Sequence, residues 1–298
     1  MSDALPVTLI GGYLGAGKTT LVNQLLRNAG GLRLAILVNE SGALPIDADL
    51  IEAEGDDLIS IAGGCICCSF GSDLAAALSD MGRMVPRPDH VVIEASGVAL
   101  PGSIALTVDL LESVRLDGIV VLADGLTIQR QIGDEYIGDT LERQLADADL
   151  IVLTKVDLLD VEARSGLQDW MAARFPGKAL ILAEEGRVPR DLLLGSFAPD
   201  RVSSGGAHGD ADYASEVYVP ARAVDAEGLA QALATGGHGI LRAKGFVDDL
   251  SGRRALVQVV GQRAEVSFPD QGADPAVVCI GLKGQLDREG LARVFGCG

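Results

Sequence analysis

Over the first two-thirds of the chain, short unbroken apolar runs alternate with segments of helical periodicity. Runs rich in Val, Ile, Leu and Ala fall at 6–10, 34–39, 58–62, 90–95, 118–124, 150–154 and 179–182. A strand with one wet face alternates apolar and polar residues, whereas a strand covered on both faces does not. These runs therefore predict parallel strands buried on both sides. Helical spacing of apolar positions appears between them, near 17–28, 71–84, 103–113, 139–146 and 161–174. Repeated strand–helix units with right-handed crossovers predict an α/β fold with a doubly wound, mostly parallel sheet.

The pattern changes after Leu194. Residues 203–215 (SSGGAHGDADYAS) are small, polar and glycine-rich, which reads as a linker. Beyond them, strands are predicted at 216–220, 239–247, 255–260, 264–268 and 277–282. Helices are predicted at 225–234 and 287–295, the second with Asp287 placed as its N-cap. The expected organisation is an α/β domain over 1–200, a linker over 201–215 and a smaller α+β domain over 216–298.

Composition narrows the function classes. The 298 residues carry 42 acidic against 24 basic side chains, a formal charge of −18. Such a field repels nucleic acid and anionic membrane surfaces, so neither is an expected partner. No apolar stretch approaches a membrane span, and the first residues have no basic, signal-like start. Five cysteines, an odd number, argue against a disulfide framework. The reading is a cytoplasmic protein with reduced thiols.

Gly12-Tyr13-Leu14-Gly15-Ala16-Gly17-Lys18-Thr19 satisfies G-x-x-x-x-G-K-[ST] between a predicted strand and a predicted helix. Gly12, Gly15, Ala16 and Gly17 would wrap phosphate with backbone N–H groups, reinforced by the helix N-terminus where Thr20 follows. Lys18 would reach the β- and γ-phosphates, and the Thr19 hydroxyl would ligate Mg2+. Glu94 closes an apolar strand, as an acidic partner of that magnesium should, and Gly97 can offer its N–H to a γ-phosphate. Lys18, Thr19 and Glu94 are thus the catalytic candidates. Thr154-Lys155-Val156-Asp157 stands where a guanine-specific N-K-x-D would fall. Asp157 can accept the ring N–H and exocyclic amine of guanine, and Lys155 can cover the base. Thr154 replaces Asn, which predicts a guanine preference weaker than the full motif gives.

Three of the five cysteines lie in Gly64-Cys65-Ile66-Cys67-Cys68, in a strand-to-helix loop on the phosphate-loop side of a parallel sheet. Thiolates select zinc, copper(I) and similar ions rather than magnesium or calcium. Two or three ligands leave a site open, which suits transfer better than a closed structural site. Burial as small hydrophobes and redox pairing are the competing readings of the same residues. Cys279 and Cys297 read as incidental. His90, His208 and His238 read as structural or solvent-exposed.

Taken together, these residues resemble the CobW-like family of P-loop GTPases. The resemblance includes the phosphate loop, Asn39-Glu40 with Asp47 after it, the Gly64–Cys68 run, Glu94-x-x-Gly97 followed by Pro101, and the T-K-x-D variant. It extends to residues 238–246 and 281–286 of the second domain, and so covers nearly the whole chain. It implies GTP hydrolysis coupled to delivery of a transition metal, Zn2+ or Co2+, to a client metalloprotein. By the same resemblance the ion would sit on Cys67 and Cys68, with Cys65 and Glu40 as further ligands. A nucleotide-dependent dimer is compatible with this reading. Two departures stand out: only His208 remains in the linker where relatives carry histidine-rich stretches, and Ser41-Gly42-Ala43 replaces a commonly aromatic position. The rival readings are a metal-responsive protein that binds nucleotide with negligible turnover, and a P-loop ATPase or kinase whose cysteines sense redox state.

Overall fold

The unbroken apolar runs become parallel strands. The computed structural model describes residues 4–39, 58–63, 72–195, 213–269 and 272–297. The chain divides into two compact units, Ser2–Leu194 and Gly195–Gly298. The first runs β1 (Leu5–Gly12), α1 (Lys18–Arg27), β2 (Leu34–Asn39), β3 (Leu58–Gly63), α2 (Ser72–Arg83), β4 (His90–Glu94) and α3 (Pro101–Asp109). It continues through β5 (Val114–Asp124), α4 (Ile128–Ile132), α5 (Gly138–Asp147), β6 (Leu150–Thr154), α6 (Val161–Arg174), β7 (Ala179–Ala183) and α7 (Arg190–Leu194). The seven strands stand in the order β3-β2-β4-β1-β5-β6-β7, and every neighbouring pair is parallel.

All five residues of β4 and all five of β6 are buried, because helices cover both faces. Leu74, Leu78 and Met81 of α2, Leu141 and Leu145 of α5, and Leu167 and Met171 of α6 pack onto the sheet at helical spacing. Each such side chain contributes about 1.5–3 kcal/mol by leaving water.

Departures from the sequence pattern have local causes. Strand β5 starts at Val114, four residues before the predicted run, because its charges are accommodated within the sheet. Arg115 lies 3.5 Å from Asp117, whose side chain is buried 4.0 Å from His90 Nε2. The β1–β5 register shifts between Val7 and Thr8, which leaves Asp117 as the extra residue of a bulge. His90 is buried within the sheet, its Nε2 2.8 Å from the Thr8 hydroxyl. Helix α3 begins at Pro101, a residue suited to a first turn, and stops at Asp109 rather than 113. Helices α4 and α7 have five residues each, too few to show a period.

The second unit runs β8 (Tyr213–Tyr218), α8 (Ala226–Thr235), β9 (Ile240–Asp248), β10 (Arg254–Val260), β11 (Arg263–Ser267), β12 (Ala276–Leu282) and α9 (Arg288–Val294). Its strands form an antiparallel sheet in the order β11-β10-β9-β12-β8. The last three residues assigned to the linker belong to β8, where Tyr213, Ala214 and Ser215 pair with β12. Gly245 sits in central β9, and any Cβ there would strike the Ala276 carbonyl of β12. Leu229, Ala230 and Leu233 of α8 enter the core, and Tyr218 stacks on Phe295 at 4.8 Å.

Asp287 caps α9, accepting the Gly290 N–H at 2.9 Å, with His238 Nδ1 3.2 Å away. Hydrogen bonds from Gly290 and then His238 hold its carboxyl below the usual range. Cys279 is fully buried in β12, and burial pushes its thiol up to about 12, which leaves it unreactive at neutral pH. The Cys297 thiol donates to the Val219 carbonyl at 2.9 Å.

Asp249, in the β9–β10 turn, accepts the N–H of Ser251 at 2.8 Å and of Ala226, the first residue of α8, at 3.1 Å. A hydrogen bond from the Ser251 side chain, followed by these backbone bonds from Ser251 and Ala226, lowers its pKa from 3.8 to about 2. A carboxylate with a depressed folded pKa stabilises above its unfolded pKa and loses that contribution as pH falls through the folded one. Asp249→Ala is therefore expected to lower the urea midpoint of the full chain at neutral pH. The gap from the parent should narrow between about pH 4 and about pH 2. A gap independent of pH would assign the loss to packing instead.

Candidate functional site

Parallel strands deliver every strand-to-helix loop to one end of the sheet, and the sequence-predicted residues gather there. At the exit of β1, Gly12, Gly15 and Gly17 hold φ of 131°, 77° and 96°, values that L side chains rarely adopt. A Cβ at Gly12 would lie 2.5 Å from the Leu122 carbonyl of β5, so the loop leaves the sheet hard against its neighbour. At Gly15 a Cβ would meet nothing within 4 Å, because the loop curves around open space. Gly17 begins α1 with no side-chain cap. The first-turn amides of a helix lack intrahelical acceptors, and here a phosphate is the acceptor they suit. Lys18 Nζ lies across this loop, donating to the carbonyls of Gly12 at 2.9 Å and Tyr13 at 3.4 Å.

Glu94 ends β4 opposite Ile10 of β1 and Val38 of β2. Its side chain is buried, and its Oε1 accepts the Thr19 hydroxyl at 3.0 Å. A hydroxyl and a carboxylate side by side form the hard oxygen donor set that magnesium takes, so these residues fit the ion. Gly97 follows in the loop after β4. A Cβ on it would fall 2.6 Å from Leu14 Cδ2 and 2.9 Å from the Leu14 nitrogen. Only glycine lets this loop lie against the phosphate loop.

At β6 the Thr-Lys-x-Asp residues divide their tasks. Thr154 is buried, and its hydroxyl donates to the Ala16 carbonyl at 2.8 Å, within reach of the Ala123 carbonyl at 3.3 Å. It thus ties the base-side strand to the phosphate loop. Lys155 adopts the left-handed region, with φ 59°, and its Nζ pairs with Asp124 at 2.6 Å. Asp157 accepts weakly from the Glu185 N–H at 3.5 Å, which brings the loop after β7 beside it. Gly186 of that loop touches Thr20: a Cβ there would be 2.9 Å from the Thr20 methyl.

The structure adds three residues to those the sequence pointed to. Asp124 is the partner of Lys155; like Glu94 it is an acid closing an apolar strand, and that signal was available. Arg164 donates to the Val156 carbonyl at 2.9 Å and pairs with Glu184 at 3.0 Å, clasping the base-side turn to the loop after β7. Gln144 of α5 reaches the loop of Gly97. Mid-helix polar residues carry no such signal.

Glu40, Cys65, Cys67 and Cys68 lie outside the described residues. The strands leading to them are described. Asn39 at the end of β2 pairs with Gly63 at the end of β3, so the last described residues before Glu40 and before the cysteines stand side by side. Strands β2 and β4 separate β3 from β1. At about 4.8 Å per strand, β3 therefore lies about 14 Å from the strand that feeds the phosphate loop. Among the described residues there is no cluster of three or more His, Cys, Asp or Glu side chains able to hold a metal. No described helix is long and apolar enough to cross a membrane.

A glycine-lined phosphate loop between β1 and α1, with an acid closing the neighbouring strand of a doubly wound sheet, defines a P-loop NTPase. Residues 6–182 match the family described as CobW/HypB/UreG, nucleotide-binding domain, and residues 213–297 match the Cobalamin synthesis protein cobW C-terminal domain. The chain belongs to this family. It is 32% identical over 307 residues to the Zinc chaperone CobW of Sinorhizobium sp, covering 88% of this chain and 86% of that protein. It is 31% identical over 341 residues to the Zinc chaperone CobW of Pseudomonas aeruginosa, covering 97% and 90%. The Zinc-regulated GTPase metalloprotein activator 1 of Schizosaccharomyces pombe is 38% identical over 173 residues, covering 55% of this chain and 42% of that protein.

Thr154 offers a test of how the base side is coupled to the phosphate loop. Thr154→Val keeps the shape and removes the bond to Ala16, a loss of about 1 kcal/mol. Affinities for GTP and GDP are expected to fall together by roughly fivefold to tenfold, with their ratio unchanged, in equilibrium titrations. A change confined to GTP would assign Thr154 to the γ-phosphate side instead.

Proposed function

We propose that this chain is a GTP-binding, slowly hydrolysing metallochaperone that carries zinc on its Cys-x-Cys-Cys segment to a client metalloprotein, with cobalt as the second candidate cargo. The observation that carries the metal part is the pairing of Asn39 with Gly63. It sets the last described residues before Glu40 and before the cysteines one strand spacing apart, at the end of the sheet where Glu94 meets Thr19, and this supports a shared site. The zinc-chaperone relatives, similar over most of their length, favour zinc over cobalt.

In this reading the phosphate loop and Lys18 bind the β- and γ-phosphates, while Thr19 and Glu94 hold magnesium. Magnesium, when bound, draws charge from the phosphate oxygens. Asp157 reads guanine, Lys155 covers the base from its anchor on Asp124, and Thr154 braces the loop. Gly97 senses the γ-phosphate, and the segments after β2 and β3 respond by assembling the thiolate site. Release of the γ-phosphate relaxes them and frees the ion. Coupling of this kind is reciprocal: whatever factor GTP adds to metal affinity, metal adds to GTP affinity, typically about 1–3 kcal/mol. Slow turnover is expected where no arginine neutralises the transition state, and among the described residues none is assigned that role.

The test is a titration with Zn2+ and Co2+, with and without Mg-GTP, on the parent and on Cys67→Ser/Cys68→Ser. Tighter metal binding with GTP, lost in the double variant, is expected. Affinity indifferent to nucleotide, or unchanged by the substitutions, would sink the coupling. Turnover without a partner should stay below about 1 per second. ATP should compete poorly with GTP, and strong competition would favour the redox-sensing ATPase reading.

A further inference from the structure

We propose that Gln144 is a positioning residue of the nucleotide switch: from α5 it holds the loop of Gly97 against the phosphate loop and so sets the preference for GTP over GDP. The inference rests on the GTP-switch reading above.

Gln144 is fully buried, on the face of α5 that carries the core residues Leu141 and Leu145. Its Nε2 donates to the carbonyls of Gly97 at 3.1 Å and Ala99 at 2.8 Å. The opposite amide orientation would set Oε1 against those two carbonyl oxygens, so the hydrogen-bond pattern fixes the assignment. Its Oε1 is buried without a hydrogen-bond partner among the described residues. A methionine or leucine would fill this space without stranding an acceptor. What the glutamine adds is a pair of N–H donors aimed at one loop.

The same helix takes hold of the loop's far end. Asp147, three residues on and so on the same side of α5, accepts the Gly102 N–H at 2.9 Å in the first turn of α3. The loop's other side meets Leu14, where even a Cβ on Gly97 would collide. The Ala99 N–H bonds the Ser96 carbonyl at 3.0 Å and closes the turn between. The chain from Gly97 to Gly102 is therefore held on α5 by three of its backbone groups and pressed on the phosphate loop.

A loop placed in advance meets the γ-phosphate without having to be ordered by it. GDP has no γ-phosphate and gains nothing from that placement. Loss of the Gln144 donors should therefore weaken GTP binding more than GDP binding.

The experiment measures equilibrium binding of β,γ-imido-GTP and of GDP, with Mg2+, to the full chain as parent, Gln144→Met and Gln144→Glu. Gln144→Met is expected to lower analogue affinity about tenfold while GDP stays within about twofold. Gln144→Glu should lower it further, since a carboxylate would face the two carbonyls. Asp147→Ala releases the Gly102 end and should shift the same ratio the same way by less, which decides the matter if neither Gln144 variant folds. An unchanged analogue-to-GDP ratio in folded variants, or equal loss of both nucleotides, overturns the inference and leaves the GTP reading intact. A parent that binds neither guanine nucleotide overturns both.

Discussion

The parallel register of the seven-stranded sheet is the constraint on which the site depends. Because Ile10 and Val38 both stand opposite Glu94, and Asn39 opposite Gly63, the loops after β1, β2, β3 and β4 leave from one end in a fixed lateral order. A slip of one residue would swap the two faces of a strand, and with both faces packed under helices it would mismatch the side chains on each. The apolar density of β4 and β6, buried at every position, is thus what locates the functional loops.

Within that frame the phosphate loop is braced from three directions, and each brace comes from a part of the site with a different task. Thr154 holds its Ala16 carbonyl from the base side, Glu94 holds Thr19 from the magnesium side, and Gly97 presses on Leu14 from the γ-phosphate side. The contacts of Thr154 and Glu94 are hydrogen bonds of side chains that are almost fully buried. Buried polar links of this kind rigidify when satisfied and are costly when broken. A loop held this way is mechanically linked to each of the elements that brace it.

The lateral order also separates the phosphate loop from the far edge of the sheet: with β2 and β4 between them, β3 is no direct neighbour of β1. The loop after β4 is held from both sides, by the close approach of Gly97 to Leu14 and by the donors on α5.

Fold class, the succession of the principal strands and helices in both units, the phosphate loop and the acid that closes β4 were all legible in the chain's own residues. Those features rest on local chemistry: apolar runs, glycine spacing and one charge at the end of a run. The sequence also marked Thr154 as a departure from the guanine motif, but its use was decided by tertiary structure, because Ala16 lies 138 residues away in the chain. The same holds for the charged start of β5, which looked polar until Arg115, Asp117 and His90 were brought together in the sheet. Tyr213 to Ser215 looked like linker because an edge strand needs no apolar run when its pairing with β12 supplies the hydrogen bonds. Gln144 and Arg164 were illegible for the same reason, since Gln144 acts on backbone carbonyls, Arg164 on one besides Glu184, and a backbone carbonyl leaves no trace in a sequence.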